Sequence, residues 1–321
     1  MSQTKAQLIS GTSSQSVTFN DATISSLNGG ALAGTRNRII NGGMDVWQRG
    51  TSFTNVGSGG PPTYTADRWF GYRGGFASNL SVSQQTGFSG FRYCSRVQRA
   101  SGDTSTQSLQ FCHIVEDLNM YDLEGQPFTL SFWARRPSSG YSGGSLSVIV
   151  ATGTTANQGS NSFANGTWSG SASPVASTAT LTSTATRYSF SGTFGAGIAE
   201  LAVQFLWTPT GTAGSTDYIE ITGVQLEAGS VATPFERRSY GQELELCQRY
   251  YTKGRTQGWP RSGDNASLAM SFFKQTMRAT PTVTQSAGAI QFATEDGFGS
   301  YLLGTGSGTS WDLTWTAAIE L

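Results

Sequence analysis

Along residues 127–136, PFTLSFWARR, large apolar and polar side chains change places at every position. Phe128, Leu130, Phe132 and Ala134 fall on one side, and Thr129, Ser131, Trp133 and Arg135 on the other. A period of two is the signature of a strand with one buried face. The pattern recurs with Leu146, Val148 and Val150, with Tyr188 and Phe190, and with Leu201, Val203, Phe205 and Trp207. In DYIEITGVQLE (217–227) the apolar set is Ile219 and Ile221, then Val224 and Leu226, so parity flips at Gly223 and predicts a bulge or bend. Strands at this spacing, with no helical pattern between them, predict an all-β chain folded as an antiparallel sandwich or jelly roll.

Composition agrees. Of 321 residues 41 are Gly and only 9 Pro; charged residues make up 12% and aromatics 12%. Disordered chains combine few aromatics with high net charge, whereas this chain has 20 basic and 20 acidic residues. That balance speaks against a nucleic-acid partner, which calls for a basic stripe. MSQTKAQLIS lacks the apolar core of a secretory signal, and no run of 18 apolar residues occurs, so neither general secretion nor membrane insertion is expected. Cys94, Cys112 and Cys247 lie far apart without a CxxC pair, which predicts buried, reduced thiols and no structural zinc.

Residues 1–35 are polar, with Phe19 as their one aromatic, and read as an arm that orders against a partner or against copies of itself. The sandwich is expected over 36–252. Within it, small polar residues dominate 151–180 around Phe163 and Trp168, which predicts an anchored surface loop or a weak edge strand. Ile39, Ile40, Met44, Val46 and Trp47 read as an opening strand, with Gly42-Gly43 as a bend beside a close neighbour. One helix is predicted at 239–251, where Ser239 and Gln242 have capping-box spacing. Tyr240, Leu244, Cys247 and Tyr251 would share a face, with a Glu245–Arg249 pair on another. That face would pack on the sandwich or meet other copies near a symmetry axis. Residues 253–321 form a second β-rich unit, interrupted at Thr280-Pro281, whose small core would need support from its neighbours.

Catalytic signatures are missing. No GxSxG, HExxH or Walker sequence occurs, and the single histidine, His113, lies among alternating apolar residues where a core role is expected. Paired carboxylates that could hydrolyse a glycan are Glu116 with Asp117, Asp217 with Glu220, and Glu295 with Asp296; adjacent residues on a strand face opposite ways, so the first and last pairs converge poorly. Sugar binding asks for exposed rings beside planar polar groups. Trp133 beside Arg135, and Tyr141, Trp168 and Trp259 in Gly/Ser-rich surroundings, are the candidates for glycan contact.

Two longer stretches carry a resemblance. NRIINGGMDVWQRGTSFT (37–54) followed by YTADRWF (64–70), and ITGVQLEAGSVATPFERRSYGQELELCQRYY (221–251), resemble segments of tailed-bacteriophage fibre and tail proteins. MRATPTV (277–283) and AAIEL (317–321) resemble their C-terminal parts. The resemblance implies a jelly roll similar to carbohydrate-binding modules, with first and last strands adjacent. It also implies a structural calcium, with Asp45 as the first-strand acid and Asp217 or Glu220 as the last-strand acid, although calcium asks for six or more oxygens. It implies a homotrimer docked on a virion tail or baseplate through residues 1–35, with 253–321 as an exposed tip. The expectation is a virion structural protein, made in the host cytoplasm: a tail fibre that adheres to host surface polysaccharide and is not an enzyme. A capsid decoration protein or head fibre, and a glycan-degrading tailspike, are the alternatives.

Overall fold

The computed structural model describes residues 35–57, 60–74, 80–258, 266–303 and 311–321. The polar arm, up to residue 34, and Trp259 lie outside the described residues. The first strands are β1 (Ser52–Phe53), β2 (Thr63–Tyr64), β3 (Trp69–Arg73), β4 (Leu80–Thr86), β5 (Tyr93–Arg99) and β6 (Leu109–Val115). After two 3-10 turns come β7 (Pro127–Arg135) and β8 (Leu146–Gly153). A short helix α1 (Ser160–Ala164) leads to β9 (Ala172–Ala179), β10 (Thr186–Thr193), β11 (Glu200–Trp207) and the 11-residue β12 (Tyr218–Ala228). Helix α2 (Tyr240–Gln248) precedes β13 (Tyr251–Gly258), β14 (Ala266–Phe272), β15 (Thr282–Gln285), β16 (Ala289–Ala293), β17 (Gly297–Leu303) and β18 (Trp311–Ala318).

Two six-stranded antiparallel sheets, ordered β1-β4-β5-β12-β7-β10 and β2-β3-β6-β11-β8-β9, face each other, and the chain crosses between them repeatedly, as a jelly roll does. The alternating residues seen in the sequence make the core. Phe128, Leu130, Phe132 and Ala134 are fully buried, as are Leu146, Val148 and Val150. Phe132 meets Phe205 of the opposite sheet edge-on at 4.7 Å, and Trp69 stacks on Phe111 at 4.9 Å. The three cysteines are buried and free, as expected. The 151–180 stretch contains both expected features: β9 is an edge strand on β8, and α1 is held by Phe163 against Trp168.

The parity flip at Gly223 is a bulge. The β12–β7 register shifts between Thr222 and Gln225, and Gly223 has φ +62° with the Phe91 ring lying where a Cβ would stand. Beyond Ile221, β12 no longer pairs with β5. The segment 37–43 takes that edge, although it is not the strand its sequence suggested. Arg38 N–H donates to the Leu226 carbonyl (2.8 Å), and Val224 N–H donates to Gly42 (2.9 Å). Between them the Asn37 amide donates to the Val224 carbonyl (3.1 Å) and accepts from Leu226 N–H (3.1 Å). Gly42 passes so close that a Cβ would stand 2.1 Å from the Val224 oxygen.

Asn41 explains why no strand forms. Its φ is +57°, and its buried side chain accepts from Asp45 and Val46 N–H (2.9 Å each) while donating to the carbonyls of Val46 (2.8 Å) and Asp67 (3.0 Å). Local side-chain bonds of this kind replace a ladder.

Helix α2 has the predicted Ser239–Gln242 capping box but ends at Gln248, and Tyr251 begins β13 instead of closing a helical face. Cys247 is buried and Leu244 half-buried, whereas Tyr240 is 61% exposed. Arg249 pairs with Glu116 (3.0 Å) rather than with Glu245. Strands β13–β18 form two three-stranded sheets around Phe273, Met277, Phe298 and Trp315. The end of this unit is not free: Glu320 is paired with Arg49 and Arg68, and Leu321 packs among Phe70, Phe163 and Trp168 on the sandwich.

Replacing Asn41 by Ala removes four buried hydrogen bonds and leaves a left-handed residue without its compensation. Asn41→Ala should lower the unfolding free energy by about 3 kcal/mol, read from the urea midpoint at unchanged slope.

Candidate functional site

The turn held by Asn41 also shapes a surface cleft of about 560 Å³. Its walls come from three segments: 43–51, the ends of β4 and β5, and the stretch 235–243 entering α2. Four aromatic side chains line it, Trp47, Tyr93, Phe235 and Tyr240. Trp47 is pinned, because its indole N–H donates to the Met44 carbonyl (2.8 Å) and its ring stacks on Phe53 at 6.4 Å. Phe235 sits edge-on to Phe91 at 4.9 Å.

Polar groups complete the lining. Glu243 accepts from Asn41 N–H and from Arg238 (3.2 Å), so that acid is committed. Asp45 lies between opposing influences. Burial and the nearby Glu243 push its carboxyl above the ordinary value, while Arg237 and Arg92 pull it down. Gln84 and Thr51 add neutral donors and acceptors. Aromatic faces beside guanidinium, amide and carboxylate groups suit a ligand with apolar ring faces and hydroxyl edges. A second groove, of about 630 Å³, shares Arg237 and Arg238 but is lined by Gln242, Glu245, Leu246 and Thr276, with no aromatic ring among its lining residues.

The structure does not gather the residues singled out from sequence. Trp133 and Arg135 do share the outer face of the first sheet. There Trp133 is half-buried opposite Arg187 and Thr222, and Arg135 is bound to Glu220 (2.6 Å) with its guanidinium 4.5 Å from the Phe88 ring centroid. Tyr141 stacks on the buried Trp207 at 4.8 Å and serves the core. Trp168 is 5% exposed beneath α1 and Leu321, so it offers no face to a sugar.

The acids proposed for calcium are likewise dispersed. Asp217 is fully buried and binds Arg99 (2.8 Å) together with the N–H (2.8 Å) and hydroxyl (2.7 Å) of Ser142. Glu220 is shared by Arg96 (2.6 Å) and Arg135. Their oxygens are occupied by guanidinium groups and by Ser142, and among the described residues no three acidic, histidine or cysteine side chains cluster to hold a metal. The set Asp45, Asp217 and Glu220 does not fit calcium.

The cleft residues missed at the sequence level had signals. Trp47 stands two places after Asp45 in the opening motif, and Phe235, Arg237 and Tyr240 stand in the second. Nothing local shows that the two motifs share a wall.

Perturbed titratable groups elsewhere are structural. His113 is buried edge-on to Trp69, and burial, then Arg68, hold its ring neutral with a pKa well below the usual value. Glu116 is held below its ordinary value because Arg249 and Tyr250 hydrogen-bond it and outweigh burial. Glu200 is the reverse: burial pushes it up to about 7, with one oxygen on Gln158 N–H (2.9 Å) and the other without a hydrogen-bond partner among the described residues.

No protein-family model matches the chain, and no curated protein matches it. Among solved structures, it is similar to the enzymatically active domain of tailspike protein 4 of bacteriophage CBA120, at 12% identity and TM-score 0.34 over 55% of this chain. The match spans 21% of that tailspike chain. It is also similar to a CBM4 structure, at 21% identity and TM-score 0.35 over 59% of this chain and 97% of the other. A third is the CBM22-1 xylan-binding domain from Paenibacillus barcinonensis Xyn10C, at 10% identity and TM-score 0.32 over 56% and 94%.

Because Glu200 has a folded pKa raised from 4.5 to about 7, the native state binds the extra proton in that window, and stability falls as pH rises through it. Glu200→Gln removes the penalty. The variant should gain about 2 kcal/mol over wild type between pH 4.5 and pH 8, measured by urea unfolding at both.

Proposed function

We propose that the protein is a bacteriophage virion structural protein, a tail fibre whose sandwich holds host surface polysaccharide in the Trp47–Tyr240 cleft without cleaving it. The observation that carries this reading is the cleft itself, four aromatic rings interleaved with Arg92, Asp45 and Gln84. Rings stack on the apolar faces of sugars, and the planar polar groups bind their hydroxyls. The fibre assignment is supported by the resemblance of 37–70 and 221–251 to tail proteins, since those same stretches build two walls of the cleft.

The carboxylates support adhesion without hydrolysis. Cleavage needs two acids facing across a bond, and of the two in the cleft Glu243 is already bound by Arg238 and Asn41. Residues 1–35 would dock on the tail or baseplate, and assembly as a homotrimer would multiply a weak cleft into useful avidity. A head fibre or capsid decoration protein would use the same cleft from another docking site.

Trp47→Ala and Tyr240→Ala should each weaken binding of host surface polysaccharide about tenfold by affinity electrophoresis, while the fold persists by circular dichroism. Unchanged binding in both would refute the cleft assignment, and new reducing ends on incubation would refute the non-enzymatic one. Light scattering should give three chains per particle, and deletion of residues 1–35 should abolish incorporation into virions.

A further inference from the structure

We propose that the glycan held in this cleft is acidic, and that Arg92 clamps the carboxylate of a uronic acid residue. The inference rests on the glycan-binding reading above and adds the substrate class. Three guanidiniums, Arg92, Arg237 and Arg238, face two carboxylates, Asp45 and Glu243. Arg238 and Glu243 neutralise each other at 3.2 Å. Two arginines remain against Asp45, in a protein whose total charge is zero. The excess positive charge therefore belongs to the cleft and not to the molecule.

The two remaining arginines differ. One amino group of Arg237 donates to the Gly90 carbonyl (2.8 Å), and its guanidinium is supported by the rings of Phe91 (4.7 Å) and Phe235 (5.8 Å). Arg92 is exposed. Among the described residues its guanidinium meets the Tyr93 ring at 5.1 Å, and no carboxylate lies within 4 Å of it. A guanidinium has five donors in a fixed fork that matches a carboxylate bidentately. Those of Arg92 stand at a wall lined with aromatic rings, where a sugar ring stacked on Trp47 or Tyr93 brings a C5 carboxylate within reach of a basic side chain. Asp45 supplies the opposite polarity, accepting from hydroxyls elsewhere on the same chain of sugars. Neutral hexoses would leave the Arg92 charge without a partner.

The test uses matched probes that differ only in charge: oligogalacturonate and its methyl ester, and hyaluronan fragments and their carboxyl-reduced form. Calorimetric titration of the full chain should show the acidic member of a pair binding about tenfold or more tighter, with the advantage shrinking at high salt. Arg92→Ala should erase that advantage, weakening the acidic member about tenfold more than its neutral counterpart. Equal binding of both members to wild type, or a preference that survives Arg92→Ala, overturns the acidic-glycan inference and leaves the glycan reading standing. Binding of either kind that is indifferent to both Trp47→Ala and Tyr240→Ala, or no binding by any probe or by host polysaccharide, overturns both. Arg92 is exposed, so a folded variant is expected, and its melting temperature verifies that.

Discussion

A central strand of a sandwich cannot end its pairing early without consequences, because every buried N–H and C=O needs a partner. β12 loses β5 after Ile221, and its register with β7 slips at the next residues. The Asn37 side chain and the main chain of Arg38 and Gly42 fill that gap, bonding the peptide groups of Val224 and Leu226. Leaving such groups unpaired would cost about 1–3 kcal/mol each. The opening segment is thus fixed in place by the defect in the strand it covers, and the remaining features of this end of the molecule follow from that fixed point.

From Asn41 the chain turns through Asp45 to Arg49, and there the charges begin. Arg49 bonds Asp67 (3.1 Å) and Glu320 (2.8 Å), and Arg68 binds Glu320 while its guanidinium lies 3.6 Å from the Tyr250 ring centroid. Tyr250 in turn donates to Glu116 (2.7 Å). A buried ion pair is weak evidence for stability, since desolvation opposes it. It is better evidence for uniqueness: these arginines have their acids in one arrangement, which brings 36–50, 64–70, 240–251 and 320–321 together. The stretches 37–70 and 221–251 are far apart in sequence and adjacent in space.

This explains what could be read from the sequence. Period-two alternation reports which side of a strand is buried, and it identified β7, β8, β11 and β12 and the bulge at Gly223, because each depends on neighbours within a few residues. Ser239 and Gln242 revealed the capping box for the same reason. The opening segment reads as a strand from its apolar residues, but Ile39, Met44 and Val46 are buried without alternating, on a turn that a distant sheet defect stabilises. Trp168 read as an exposed loop residue because the Gly- and Ser-rich sequence around it does not show Leu321, which covers it from the other end of the chain. Asp217 or Glu220 as a calcium ligand is what the resemblance implies, and the arginines that hold them, Arg99, Arg96 and Arg135, lie on other strands where the local sequence does not show them.

The cleft depends on the same long-range closure, and that bears on how it can bind. Two of the walls are fixed by contacts independent of any ligand: Trp47 by the Met44 carbonyl, and the 235–243 stretch by Arg237 on Gly90 and by the bond from Asn41 N–H to Glu243. A ligand meeting such a site orders few side chains, so little of the contact energy is lost to conformational entropy. Sugars offer shallow stacking and hydroxyls that must be stripped of water, which leaves a small net gain per ring. A rigid wall is what would allow such a gain to register at all, and it ties the strand defect at Gly223, through Asn37 and Asn41, to the shape of the cleft above it.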